Sequence, residues 1–344
     1  MQTSVLGAGS WGTTLAIVLA ENGHSVSLWD RNAERAAASQ RTRENSAFLP
    51  GVTLPPGVRV ESDLGRAVAG AELVTFVVPS HTMRASALAA RATRAFDGIT
   101  VVSATKGLEE VSLSPMSRVL GEALGVAGEG VVCLAGPSHA EEVSRRVPTS
   151  IVAAGSGPDA CRVVQDAFMR PYLRVYTNDD LRGVELATGL KNCIAIASGI
   201  LDGLGCGDNT RAALVTRGLA EMTRLGVAMG ARGETFSGLA GVGDLVVTCL
   251  SRHSRNRRVG EAIGQGKTLE ETLSGMVMVA EGVRTTRAAV ELGRKHGVEL
   301  PIIEMVHRVL FEGHDPREAV QMLMMRPPRA ETRDDDRGDT KGRA

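Results

Sequence analysis

Lysine is scarce in this chain. Of 39 basic residues only five are lysine: Lys106, Lys191, Lys267, Lys295 and Lys341. Arginine, which stays charged, serves nearly everywhere else, whereas lysine can transfer a proton once its pKa is lowered. A lysine kept against this background is a place to look for proton chemistry. Cysteine is also sparse: Cys133, Cys161, Cys193, Cys206 and Cys249 are odd in number, widely spaced and form no CxxC pair. That excludes a disulfide framework and a zinc site, and fits small buried residues in a reducing compartment. The histidines show no metal-ligand spacing, so no metal is expected. There is no surplus of charge, with 39 basic and 39 acidic residues. The one basic cluster, Arg252 to Arg258, has no aromatic residue beside it, so a nucleic-acid surface is not expected. No run of about 18 apolar residues calls for a membrane span. Met1-Gln2-Thr3 runs straight into Ser4-Val5-Leu6 without a basic targeting segment, and the expectation is a cytoplasmic protein.

What is present alternates. The 344 residues suggest two domains. Short β-branched runs (Thr3–Leu6, Ser25–Trp29, Leu73–Val78, Thr100–Ala104, Val131–Ala135, Thr149–Ala153) alternate with helical stretches (Trp11–Glu21, Ala33–Arg43, Thr82–Arg94, Leu113–Leu124). This is the pattern of βαβ units and a parallel sheet. Strand signals end near Tyr172–Tyr176, and from Leu181 the chain reads as helix. The expected division is a dinucleotide-binding domain over 1–180, an all-α substrate and catalytic domain over 181–328, and a charged tail over 329–344. That tail is too poor in apolar residues to order itself.

Gly7-Ala8-Gly9-Ser10-Trp11-Gly12 is a full GxGxxG directly after the first strand and at the opening of a helix. In that context it is the Rossmann fingerprint. Gly7 allows the tight turn, Gly9 lets backbone approach a pyrophosphate, and Gly12 allows close helix–sheet packing. Asp30, ending the second strand, favours the ribose hydroxyls of NAD, while its neighbour Arg31 suits the extra phosphate of NADP. The two point opposite ways, so the cofactor is expected to be NAD or NADP.

Three further blocks stand out: Ser103-Ala104-Thr105-Lys106-Gly107 at a strand end; Ala135-Gly136-Pro137-Ser138-His139-Ala140; and a longer region from Leu190-Lys191-Asn192 through Gly238-Leu239-Ala240-Gly241-Val242-Gly243-Asp244-Leu245 to Ser254-Arg255-Asn256-Arg257-Arg258. Over roughly residues 3 to 325, these blocks and GAGSWGT together closely resemble the bacterial glycerol-3-phosphate dehydrogenases. The resemblance implies a Rossmann domain followed by a helical domain, and interconversion of dihydroxyacetone phosphate and glycerol 3-phosphate with NAD(P)H. It also implies a part in making the phospholipid precursor, and a homodimer. Residue by residue, it implies Lys191 as the acid/base. Substrate contacts would fall to Lys106, Gly136, Ser138, Lys191, Ser254, Arg255 and Asn256. Cofactor contacts beyond the glycine turn would fall to Ser10, Trp11, Arg31, Lys106, Ala140, Arg255, Val279 and Glu281.

Chemistry supports several of these independently. Reducing a ketone requires a hydride on carbon and a proton on oxygen, and an ammonium can both polarise the carbonyl and deliver the proton. Lys191 lies on an otherwise apolar helix, where desolvation lowers a lysine pKa. Asp244 could bond a substrate hydroxyl or hold Lys191. Ser254 reads as an N-cap that sets Arg255 and Asn256 in the first helical turn, a setting suited to phosphate. His139 reads as a packing residue at a helix start. Val279-Ala280-Glu281 and Thr188-Gly189 depart slightly from the family pattern. The competing readings are a related hydroxy-acid or sugar-acid dehydrogenase and a non-catalytic NAD(P)H-binding sensor.

Overall fold

The computed structural model describes residues 1–276, 278–328 and 330–331. The tail expected over 329–344 lies, apart from residues 330 and 331, outside the described residues. Eight strands form one sheet: β1 (Gln2–Leu6), β2 (Ser25–Trp29), β3 (Val58–Glu61), β4 (Leu73–Phe76), β5 (Thr100–Ser103), β6 (Val131–Ala135), β7 (Thr149–Ala154) and β8 (Leu173–Asn178). Their order is β3-β2-β1-β4-β5-β6-β7-β8. The chain thus winds outward from β1 through β3, then returns to β1's other side with β4. That reversal opens a crevice at the carboxyl ends of β1 and β4, where open α/β sheets bind ligands.

The glycine turn sits in this crevice. Gly7 has φ of 120°, a conformation that strains any other residue, and a Cβ on it would lie 2.8 Å from the Val77 carbonyl oxygen. A Cβ on Gly12 would lie 1.9 Å from the Gly7 carbonyl oxygen. The expected strand Leu73–Val78 ends at Phe76. Val77 still donates its N–H to the Leu6 carbonyl at 2.9 Å, but Val77 and Val78 then turn to wall the crevice.

Two further features depart from expectation. The sheet is parallel except where β7 runs antiparallel to β6, with Cys133 opposite Ala154. After β6 only the one-turn helix Ala140–Val143 intervenes, so the chain doubles back without the long crossover that a parallel neighbour needs. Helix Leu113–Leu124 begins instead at Met116, because Leu113 takes a left-handed conformation with φ of 58°.

From Leu181 onward every described element is helical. The helix Leu181–Gly203 is the axis of this part, buried from Gly183 to Leu201. By length and composition it could cross a membrane, but its apolar window lies wholly inside the fold. A helix apolar all round belongs in such a core, and each Leu or Ile fully buried there contributes roughly 1.5–3 kcal/mol. Asp180 starts it: its Oδ1 accepts the Gly183 N–H at 2.9 Å, and its Oδ2 accepts the Thr235 hydroxyl at 2.6 Å.

A second helix, Arg255–Gly264, crosses the axial helix almost backbone to backbone. A Cβ on Gly260 would lie 1.9 Å from the Ile196 carbonyl oxygen, and a Cβ on Gly199 would lie 1.9 Å from that of Arg257. Gly203 and Gly264, one turn further along, repeat the arrangement at 2.3 and 2.4 Å. Only hydrogen side chains allow this approach, and it brings Ser254-Arg255-Asn256 against Lys191-Asn192.

Candidate active site

A cleft of about 440 Å³ runs from the glycine turn to the axial helix. At its first end, helix Ser10–Glu21 begins after Gly9 with no side-chain cap and no acid in its first turn. Its first N–H groups are therefore available to an anion. A Cβ on Gly9 would meet nothing within 4 Å, so the space above that backbone is open. The Trp11 Nε1 is buried without a hydrogen-bond partner among the described residues. These features fit the pyrophosphate of a dinucleotide. Beyond them, Asp30, Arg31, Arg35 and Phe48 line the outer wall.

At the other end two lysines share one carboxylate. The Lys106 ammonium donates to Asp244 Oδ2 and to the Gly136 carbonyl, both at 2.8 Å. The Lys191 ammonium lies 3.3 Å from Asp244 Oδ1 and donates to Thr248 Oγ1 at 2.7 Å and Asn192 Oδ1 at 3.2 Å. Lys106 is partly exposed, while Lys191 is 3% exposed. Burial lowers the Lys191 pKa to about 8, with Asp244 opposing the shift and the Lys106 charge reinforcing it. A lysine so placed gives up its proton far more readily than a solvated one.

The third element is the start of helix Arg255–Gly264. Ser254 caps it, its Oγ accepting the Arg257 N–H at 3.2 Å. Asn256 donates to Asn192 Oδ1 at 2.9 Å and accepts the Gly282 N–H at 2.9 Å. Arg255 donates to the Val279 carbonyl at 2.9 Å. Burial lowers the pKa of this guanidinium, which stays a charged and poorly hydrated donor. Across the cleft, the Glu281 carboxylate accepts both the N–H and the hydroxyl of Ser80, at 3.0 and 2.5 Å, and so ties the two halves together.

Of the site residues expected from sequence, the cleft brings together Gly7, Gly9, Ser10, Trp11, Gly12, Arg31, Lys106, Ser138, Lys191, Asp244, Ser254, Arg255, Asn256, Val279 and Glu281. Gly136 and Ala140 stand behind it. Gly136 acts through its carbonyl on Lys106, and buried Ala140 packs its carbonyl against Thr14 Oγ1 at 3.3 Å. Sequence reasoning passed over Thr248, Asn192 and Arg35. Thr248 lies one helical turn after Asp244, a relation visible only once helix Asp244–Leu250 is known. The His139 ring, read as packing, reaches the cleft wall 5.7 Å from the His253 ring, with its Nε2 buried and without a partner among the described residues. Among the described residues no group of side chains could hold a metal ion.

Two family models together match most of the chain. The NAD-dependent glycerol-3-phosphate dehydrogenase N-terminus matches residues 2–161, and the corresponding C-terminus matches residues 180–321. The glycerol-3-phosphate dehydrogenase (NAD(P)+) of Pelotomaculum thermopropionicum is 52% identical over 328 residues, covering 94% of this chain and 93% of its own. That of Geobacillus thermodenitrificans is 51% identical, with 96% of each chain covered. The crystal structure of glycerol-3-phosphate dehydrogenase from Coxiella burnetii superimposes with a TM-score of 0.90 at 38% identity, over 94% of this chain and 99% of that one. With matches of this extent in both halves, the chain belongs to the NAD-dependent glycerol-3-phosphate dehydrogenase family.

Proposed function

We propose that this protein reduces dihydroxyacetone phosphate to sn-glycerol 3-phosphate, and catalyses the reverse, with Lys191 as proton donor and acceptor. The observation that carries the reading is the Lys191–Asp244–Lys106 cluster, with Lys191 and Asp244 buried, set between an open dinucleotide cradle and a helix start that carries Arg255 and Asn256. Relatives bearing the dehydrogenase name support it and do not favour the hydroxy-acid, sugar-acid or sensor readings.

Ser10, Trp11 and the backbone of Gly7, Gly9 and Gly12 would hold the NAD or NADP, with Arg31 at its outer end and Val279 and Glu281 closing over it. The bound dinucleotide supplies the hydride. Arg255, Asn256 and Ser254 receive the phosphate, where the buried guanidinium and the helix start both favour negative charge. Ser138 and the Gly136 backbone line the substrate's other side. Lys106 faces the carbonyl oxygen as it gains charge, and Lys191 delivers its proton to that oxygen. Asp244 holds the two lysine nitrogens together. Thr248 and Asn192 hold the Lys191 nitrogen at one place in the cleft. Residence in the cytoplasm and a homodimer are part of the same proposal; reduced cysteines support the first, and the second rests on the resemblance alone.

The test is oxidation of NADH and NADPH by the purified protein with dihydroxyacetone phosphate, beside unphosphorylated dihydroxyacetone and 2-oxo acids. Turnover confined to the phosphorylated ketone is expected. Equal turnover with a 2-oxo acid would reject the substrate assignment.

A pH dependence follows with a definite sign. Reduction needs Lys191 protonated, so kcat for ketone reduction is expected to fall as pH rises through about 8. Oxidation of the alcohol needs the neutral amine and is expected to rise through the same range. Asp244→Asn removes the charge that raises the Lys191 pKa, and the falling limb is expected to move to lower pH. A limb unmoved in Asp244→Asn would assign that titration to another group.

A further inference from the structure

Asp30 stands where an acid accepts the ribose hydroxyls of NAD and repels the 2′-phosphate of NADP. Here it is not available for either task. It is 3% exposed, and both carboxylate oxygens are engaged. Oδ2 accepts Arg35 Nε at 2.5 Å. Oδ1 accepts Arg35 Nη2 at 2.5 Å and the Asn32 N–H at 3.0 Å. The pairing is the two-pronged guanidinium–carboxylate geometry that gives the strongest ion pairs. The Arg35 guanidinium lies 4.9 Å from the centre of the Phe48 ring, which fixes it against the cleft wall. Arg31, next to Asp30, is exposed on the same wall and makes no ion pair among the described residues. The outer end of the cleft therefore presents two guanidinium groups and one carboxylate already neutralised.

We propose that Arg35 sets the division between NADP(H) and NAD(H). Chelating Asp30, it cancels the charge that would exclude a 2′-phosphate, and with Arg31 it forms a two-guanidinium subsite for that phosphate. NAD(H) is admitted only when Arg35 releases Asp30 to the ribose hydroxyls. The preference is thus built into a residue five positions beyond the strand end, and not only into the Asp30-Arg31 pair. This rests on the glycine turn being the dinucleotide site.

The experiment is calorimetric binding of two fragments to the full chain, adenosine 2′,5′-bisphosphate and adenosine 5′-monophosphate, in wild type, Arg35→Ala and Arg35→Ala/Asp30→Asn. The ratio of kcat/KM for NADPH over NADH is measured alongside. Wild type is expected to bind the bisphosphate at least tenfold more tightly. Arg35→Ala is expected to lower that preference at least tenfold and to lower the NADPH/NADH ratio with it. The double variant, which removes the uncovered carboxylate, is expected to recover part of the preference. A role in folding alone would weaken both fragments equally and show no recovery, and that result would overturn the proposal. A preference for the monophosphate in wild type would do the same. Binding of neither fragment by protein that turns over would place the dinucleotide elsewhere and remove the underlying site assignment as well.

Discussion

Lys191→Met is expected to lower kcat for dihydroxyacetone phosphate reduction by about 10³-fold or more, the scale on which a positioned general acid contributes. Methionine is the informative replacement because it fills most of the same volume, whereas alanine would open a cavity in the middle of a buried helix. Removing the ammonium strands no charge. Asp244 keeps Lys106 at 2.8 Å, and Thr248 keeps the Asp244 carbonyl as acceptor for its hydroxyl at 2.6 Å. The variant is therefore expected to remain folded and to bind the dinucleotide, so the loss belongs to chemistry. Single-turnover reduction with saturating NADPH measures that step directly. A variant that keeps more than a tenth of the wild-type rate would move the acid to another group, with Lys106 across Asp244 the first to examine. The high proportion of arginine makes Lys191→Arg a second probe. A guanidinium retains charge but cannot give up its proton near neutral pH, so it is expected to rescue little.

Gly260→Ala is expected to force the crossing helices apart next to the site. Its Cβ would sit 1.9 Å from the Ile196 carbonyl oxygen and 2.8 Å from the Ile200 nitrogen, both backbone atoms that cannot turn aside. The helices must separate by more than about 1 Å, and overpacking of this kind costs about 1–3 kcal/mol, occasionally more. The melting temperature is expected to fall by about 2–12 °C, since each kcal/mol moves a domain of this size by roughly 2–4 °C. The same displacement pulls Asn256 from Asn192, and the substrate KM is expected to rise. Gly207→Ala is the control, because a Cβ there meets nothing within 4 Å. Equal melting temperatures for the two variants would refute the close-crossing account.

How far these features could be read in advance follows from what each depends on. The glycine turn, the six strands named from their β-branched runs and the axial helix are local patterns, and they stand where the pattern put them to within a few residues. Strand β3 was missed because Val58-Arg59-Val60-Glu61 is only four residues long and follows a Pro-Pro-Gly turn that masks its alternation. The direction of β7 was not legible because a strand buried on both faces looks the same whichever way it runs; the shortness of the return from β6 decides it. At the site, Lys191, Lys106 and Asp244 drew notice as residue types, but their union at one carboxylate depends on a contact between positions 138 residues apart. Arg35 was silent in the sequence because a surface arginine on an amphipathic helix is unremarkable until its partner is seen.

The burial of the axial helix has a consequence for the chain while it is being made. Helix Leu181–Gly203 leaves the ribosome before the later helices that cover most of it. The crossing helix ends about sixty residues later, at Gly264. At roughly 5–20 residues per second, that leaves several seconds in which an apolar, membrane-length helix lacks its crossing partner. Lys191 is the eleventh of its 23 residues, close to the middle. A lysine at the centre of a membrane helix costs about 2.5–3.5 kcal/mol on insertion. The residue proposed to move the proton therefore also weighs against the nascent helix being taken into a bilayer before its later neighbours arrive.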